Sequence, residues 1–177
     1  LSRQLDFDGE NQLSLGGALA SFGEKAFSGG YGFSNKKWAL QLGISHFKTD
    51  NDFDFQTIYG DEFALDNAAI ESFGAYASAG RKFEKSSFET HLMWQSYSRQ
   101  IPDSRSIYNP KTPSDALEED RHLRWQNTFQ SQRWRVEQGF NIETQTYRDL
   151  RYFINDTNNF SQSSTEIEYQ VYKSKKV

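Results

Sequence analysis

Cysteine is absent from the 177 residues, which excludes a disulfide framework, a thiolate zinc site and a nucleophilic thiol. Proline occurs only three times, too rarely for a proline-rich linker or a collagen-like chain. No run approaches the roughly 18 consecutive apolar residues of a membrane-spanning helix. The formal charge is only −4, from 20 basic and 24 acidic residues. We therefore do not expect a basic surface that binds nucleic acid.

Aromatic residues, in contrast, are abundant. They make up 16% of the chain, although hydrophobic residues total only 36% and the mean hydropathy is −0.83. Disordered chains carry few aromatic residues, whereas the core of a soluble domain of this length needs a larger apolar fraction. The composition therefore predicts a sheet with one face in contact with water.

Apolar and polar residues alternate with a period of two along most of the chain, which is typical of strands. Trp134, Val136, Phe140 and Ile142 share one parity, for example. The pattern predicts an all-β, antiparallel up-and-down architecture of about eight strands, in which three tight turns alternate with long loops. The predicted strands are residues 11–22, 26–34, 37–49, 68–83, 88–100, 121–130, 133–148 and 164–175. The predicted long loops are 50–67, 101–120 and 149–163.

Aromatic residues flank each predicted tight turn at a spacing of five. With two-residue turns at 35–36, 85–86 and 131–132, both members of each pair are expected directly opposite each other on one face. The aromatic pairs would form a row along one rim of the sheet, and the residues of the other parity are mostly polar. This combination predicts a transmembrane β-barrel with short periplasmic turns and long extracellular loops. The expected membrane-interface residues are Phe33, Trp38, Phe83, Phe88, Phe129 and Trp134.

Two features test this prediction. Arg81 has the parity of Phe83, so its side chain is expected on the lipid face unless it reaches the interface or a bulge intervenes. The apolar parity also changes around Gly23, Glu24 and Lys25, which predicts a three-residue turn at 23–25. The alternative architecture is a soluble β-sandwich, for example a carbohydrate-binding module, which would bury Trp38, Trp125 and Trp134.

Five short segments resemble the opening barrel strands of TonB-dependent outer-membrane receptors. They are Ala-Ser-Phe-Gly at 20–23, Tyr-Gly-Phe at 31–33, Lys-Trp-Ala-Leu at 37–40, residues 45–53, and residues 94–102, which read as a strand leaving into an extracellular loop. The resemblance covers about residues 12–172.

The resemblance implies a 22-stranded barrel around a plug. Residues 1–10 would connect from the plug domain, and 11–177 would supply barrel strands. The partners would be the lipid bilayer, the protein's own plug, TonB and a small nutrient chelate. The implied function is uptake of a scarce nutrient, such as a ferric siderophore, haem or cobalamin, across the outer membrane of a Gram-negative bacterium.

The chain begins at Leu1 without a signal segment, so we expect a processed product, an excised domain or a fragment. At roughly 22 residues per strand and connection, 22 strands need about 480 residues. The 177 residues would then be about a third of the receptor barrel. The first alternative is a complete small eight-stranded barrel acting as a pore or an anchor, and the second is the soluble sandwich.

No catalytic constellation is recognisable, so we do not expect an enzyme. The three histidines, His46, His91 and His122, lie on different predicted strands, where hydrogen bonding in the wall or at its rim is the expected role. Six residues, each on the polar parity of its own predicted strand, are expected to form a charged inner wall: Arg124, Arg135, Glu137, Glu143, Glu166 and Glu168.

No cofactor is expected, except that Asp50, Asp52 and Asp54 could supply oxygen ligands for Ca²⁺. The pattern departs from a calcium-binding hand, because Phe55 stands where glycine is needed and Asp61 stands where glutamate is needed. In the long loops, Tyr59, Arg105, Tyr108 and Tyr152 are side chains suited to gripping an amphipathic ligand.

Overall fold

The computed structural model describes residues 5–51, 53–56, 60, 62–65, 68–101, 116–149 and 152–169. Within these residues the secondary structure is all strand, with no helix, and hence no helix that is long and apolar enough to cross a membrane. The strands are β1 Gln12–Leu19, β2 Lys25–Ser34, β3 Trp38–Thr49, β4 Phe53–Gln56, β5 Glu62–Leu65, β6 Ile70–Lys82, β7 Ser86–Ile101, β8 Ala116–Ser131, β9 Trp134–Asp149 and β10 Ile154–Tyr169.

Eight of these strands form one antiparallel sheet in the order β1-β2-β3-β6-β7-β8-β9-β10. Each main strand pairs with the next one along the chain, so the predicted all-β, up-and-down topology is confirmed. The hairpin β4–β5 forms a separate two-stranded sheet. Within the described residues β1 and β10 do not pair with each other, and both edges of the large sheet are open.

The strand boundaries correct the prediction in three places. The predicted loop 50–67 contains β4 and β5, β8 starts at Ala116 rather than residue 121, and β10 starts at Ile154 rather than residue 164. Residues 170–175 of the predicted last strand lie outside the described residues. The first half of β10 is rich in Asn, Ser and Thr, so no apolar alternation marks it as a strand. Its sixteen residues all pair with β9 instead.

The hairpin register also differs from the prediction, by two residues in each of the three tight turns. Phe33 lies opposite Leu40, Phe88 opposite Arg81, and Phe129 opposite Val136. The turn residues are therefore 36–37, 84–85 and 132–133. A shift of two residues leaves every side chain on its predicted face, so only the direct opposition within each aromatic pair was wrong.

Side-chain capping explains the shift at two of these turns. The Asn35 side-chain oxygen accepts hydrogen bonds from the backbone N–H groups of Lys37 (2.9 Å) and Trp38 (2.8 Å), which fixes Asn35 at the first position of the turn. The Ser131 hydroxyl accepts one from the Trp134 N–H (3.1 Å).

The turn between β1 and β2 has three residues, as predicted, but they are 21–23 rather than 23–25, because Lys25 already belongs to β2. The N–H of Ala20 donates to the carbonyl of Glu24 (3.1 Å) and closes the loop. Phe22 and Gly23 both have positive φ, 62° and 71°. These left-handed residues accommodate the change in apolar parity that the sequence shows at this point.

The buried core is small and lies on the polar face near the tight turns. Residues 5–11, which we call the strap, cross this face before β1. Leu5 and Phe7 of the strap and Ala39 of β3 form the buried hydrophobic cluster among the described residues. A Cβ added at Gly80 would lie 2.8 Å from both Leu5 and Phe7, so the strap packs directly on the backbone of β6.

Candidate functional site

The two faces of the eight-stranded sheet differ sharply in composition. The register places all large aliphatic residues of β1, β3, β8 and β9, with most aromatic residues, on one face, which we call the apolar face. The opposite, polar face carries the predicted charged wall of Arg124, Arg135, Glu137, Glu143, Glu166 and Glu168. The predicted division of the chain into two faces is therefore confirmed.

The apolar side chains form a band of limited height, the apolar band. On β9 it runs from Trp134 to Ile142, and Thr144 and Thr146 follow on the same face. The eight steps between Trp134 and Ile142 span about 26 Å along the strand. A strand that crosses a bilayer needs about 9–11 tilted residues, so the height of the band matches a bilayer. The strands continue beyond it only toward the long loops.

Aromatic side chains mark both ends of the apolar band. At the end with the tight turns, the rings of Trp134 and Tyr169 lie 4.4 Å apart. At the loop end, the rings of Phe73 and Trp94 lie 5.3 Å apart. The six predicted interface residues all lie on the apolar face at the turn end: Phe33, Trp38, Phe83, Phe88, Phe129 and Trp134. The aromatic row at the loop end was not predicted.

The apolar side chains are uncovered within the described part of the chain. Trp38, Trp125 and Trp134 are 47%, 47% and 48% exposed, and Leu92 is 46% exposed. A sandwich would bury these tryptophans beneath a second sheet. Besides the main sheet, the only strands among the described residues are those of the short hairpin β4–β5.

Arg81 lies on the apolar face, as its parity predicted, and is stacked on aromatic rings. Its guanidinium carbon is 4.7 Å from the centre of the Trp38 ring and 4.9 Å from that of Phe83. Cation–π contact with both rings holds this charge at the turn end of the apolar band. No bulge is present in β6, where every residue from Ile70 to Lys82 is paired in register.

A hydrogen-bonded chain on the polar face connects β6, β7 and the strap. His91 Nδ1 lies 2.9 Å from the Ser78 hydroxyl, and His91 Nε2 lies 3.5 Å from the carboxylate of Glu89. The same Glu89 oxygen accepts a hydrogen bond from the Leu5 N–H at 3.4 Å. Ser78 and Glu89 are both buried. The carboxylate therefore holds the strap on the sheet, with His91 as its second partner.

The other two histidines also have hydrogen-bond partners. His46 Nε2 contacts Glu71 at 2.9 Å on the loop side of the apolar band. This hydrogen bond is the main reason that the pKa of Glu71 lies below its usual value. His122 contacts the side-chain oxygen of Asn141. The expected hydrogen-bonding role of the histidines is thus observed for all three.

Acidic residues crowd the polar face beyond the apolar band. Burial raises the pKa of Asp120, and the nearby charges of Glu118 and Glu143 raise it further. One carboxylate oxygen of Asp120 is buried without a hydrogen-bond partner among the described residues. Glu118 itself pairs with Arg99, which lowers the local negative charge.

The predicted ligand-binding residues can be followed only in part. Tyr59, Arg105 and Tyr108 lie outside the described residues. Tyr152 lies in the short turn between β9 and β10 and is 60% exposed at the loop end. The structure therefore does not bring these four side chains together into a described site.

The calcium prediction likewise rests on residues that are only partly described. Asp50 and Asp54 lie on either side of Asp52, which is outside the described residues. The Asp50 carboxylate faces the β1–β2 turn, where a Cβ on Gly23 would collide with it. No group of three or more potential metal ligands occurs in the part of the chain that the structure describes.

The arrangement provides two surfaces with different chemistry rather than a closed pocket. The apolar band offers contact with hydrocarbon, and the polar face offers hydrogen bonds and charges to water or to another polypeptide. Comparison of this chain with protein families, with curated proteins and with solved structures finds no match.

Proposed function

We propose that this chain forms part of the wall of an outer-membrane β-barrel, and specifically the first strands of a TonB-dependent receptor. The observation that carries the proposal is the exposed apolar band, which has the height of a bilayer and aromatic residues at both ends. Transmembrane barrels combine an apolar outer band, aromatic girdles and a polar interior. The proposed function is uptake of a scarce nutrient chelate such as a ferric siderophore, haem or cobalamin.

The energetics of the apolar face support a lipid environment. Contiguous apolar patches on soluble monomers rarely exceed a few hundred Å², and this face presents large apolar side chains on all eight strands. Lipid chains can cover such an apolar surface, so that a second layer of protein is not needed. A lipid environment also requires that backbone polar groups be paired within the sheet. The six inner strands, β2, β3, β6, β7, β8 and β9, each pair with a neighbouring strand on both sides.

The open edges favour a barrel larger than these eight strands. In the described residues β1 has eight residues and β10 has sixteen, so a direct ladder between them would leave half of β10 unpaired. Each unpaired backbone group in hydrocarbon costs several kcal/mol, a penalty of the same order as that for a buried polar group without a hydrogen bond. Further strands on each side would satisfy both edges.

The strap supports the receptor assignment within this class. It enters from the polar face at the turn end, where a connection from an internal plug to the first strand would run. The polar face would then surround the plug, and the loops at the opposite end would bind the nutrient. The turn end would lie in the periplasm.

The proposal is tested with the full-length gene product produced in a Gram-negative outer membrane. A folded barrel gives heat-modifiable migration on gels, and a receptor restores growth on one of a panel of ferric chelates only when TonB is present. Membrane insertion without TonB-dependent growth on any chelate, haem or cobalamin, together with liposome swelling, would favour the small pore. A protein that stays soluble and monomeric without detergent would refute the proposal that the chain inserts into a membrane.

A further inference from the structure

The turn end of the sheet combines a stacked arginine with a cluster of lysines. We propose that Arg81 and the two adjacent turns bind the phosphate group of a membrane phospholipid. The inference rests on the proposed function, because it requires that the apolar band lie in a bilayer. It adds a lipid headgroup site on the outside of the wall, at the end opposite to the nutrient-binding loops.

The first step of the argument concerns the charge on Arg81. Guanidinium groups stay protonated in proteins, and an arginine facing lipid is tolerated near the interface but not at the midplane. Arg81 lies level with Phe88 and Phe129, at the edge of the apolar band. Among the described residues it makes no ion pair with a carboxylate, which leaves its charge available to an anion from outside this part of the chain.

The second step concerns the geometry of the stacked group. Trp38 and Phe83 contact the guanidinium through their rings, which restricts its position but uses none of its hydrogen-bond donors. A guanidinium presents five N–H donors in a planar fork that matches phosphate oxygens. The two rings thus hold the donors at the level where phosphate groups lie in a bilayer.

The third step concerns the neighbouring charges. The N–H of Lys82 donates to the carbonyl of Lys37 at 2.8 Å, which brings the β2–β3 turn beside the β6–β7 turn. These turns and the strand end form a basic patch of exposed side chains, opposed by the single carboxylate of Glu84. The basic patch consists of Lys36, Lys37, Arg81 and Lys85, because the Lys82 side chain has the parity of the polar face. The acidic residues of the strap, Asp6, Asp8 and Glu10, form no ion pair with the patch in the described structure.

The loop end of the same face provides the contrast. There the exposed cation Arg121 lies on the apolar-face parity, opposite Ser96 and Thr144, without aromatic stacking among the described residues. It is therefore a matched control, because it has the same charge on the same face of the sheet.

The test measures binding of phosphatidylglycerol to the intact protein in a neutral detergent by native mass spectrometry. Each surface cation contributes roughly fivefold to binding of anionic lipid. We expect Arg81→Gln to weaken binding about fivefold or more. The separate double variant Lys36→Gln, Lys37→Gln should weaken binding by a larger factor, and Arg121→Gln should have little effect. Diacylglycerol, which lacks the phosphate, should not bind at the site.

Three results would overturn the proposal: equal losses for Arg81→Gln and Arg121→Gln, unchanged binding in both patch variants, or displacement of the lipid by millimolar inorganic phosphate. The last result would assign the patch to free phosphate. If Arg81→Gln does not fold, the lysine variants and Arg81→Lys, which retains charge but loses the planar fork, decide the question. Heat-modifiable migration of the wild type separates failure here from failure of the proposed function.

Discussion

An arginine in the middle of the apolar band should strongly destabilise the folded protein. Leu92 lies four residues above Phe88 on β7, which is about 13 Å along the strand and about 10 Å along the membrane normal at a tilt of ~40°. This depth is near the centre of an apolar band ~25 Å tall. Leu92→Arg should therefore reduce the free energy of unfolding in lipid by about 2–4 kcal/mol.

Two control substitutions separate membrane depth from other effects of the added charge. Gln100 lies on the same face of β7, twelve residues from Phe88, or about 30 Å along the normal by the same arithmetic, and is beyond the band. Gln162 of β10 lies on the polar face, one residue from the row of paired residues that contains Leu92. Gln100→Arg and Gln162→Arg should each change the free energy of unfolding by about 1 kcal/mol or less.

The assay is reversible urea unfolding from phospholipid vesicles, followed by tryptophan fluorescence. Similar losses for all three variants would refute the membrane interpretation of the apolar face. A near-neutral Leu92→Arg would refute it as well, since exposed positions of a water-soluble sheet tolerate charge.

Three further predictions concern the polar face. Asp120→Asn should stabilise the protein at pH 7, because the raised pKa of Asp120 means that its charge opposes folding. The free energy of unfolding of the wild type should rise as the pH falls through that pKa. In urea titrations below that pKa, the difference between the two proteins should disappear. Gly80→Val should displace the strap, because even a Cβ would lie 2.8 Å from Phe7, and faster proteolytic cleavage before β1 would be the evidence; an unchanged cleavage rate would contradict it. Gly43→Ala should displace the half-exposed Tyr76 ring, since its Cβ would lie 2.2 Å from that ring, at a cost of about 1 kcal/mol or less, and this cost should disappear in the Tyr76→Ala background of a double-mutant cycle.

The position of Arg81 could be predicted only in part. Its parity alone predicts that it lies on the apolar face. The two rings that stack on it come from Trp38 on the neighbouring strand and from Phe83, the residue directly after β6. The contact with Trp38 depends on the exact pairing of β3 with β6. That pairing spans the long 50–67 connection, whose length carries no information on register.

The strap and β10 were missed for different reasons. Residues 5–11 have no periodicity, and their contact with Glu89 joins positions 84 residues apart in the sequence. The first half of β10 lacks apolar alternation, so it becomes a strand only because β9 offers a complete ladder. Tertiary pairing outweighs local propensity in both segments.

By itself, the sequence determined which side chains share a face of the sheet, because alternation with a period of two depends only on the geometry of an extended backbone. It also determined the number of main strands and the end at which the tight turns lie. Tertiary structure decided the two-residue register of each hairpin, the docking of the strap and the stacking of Arg81. These features depend on capping hydrogen bonds and on contacts between residues far apart in the chain, which periodicity does not encode.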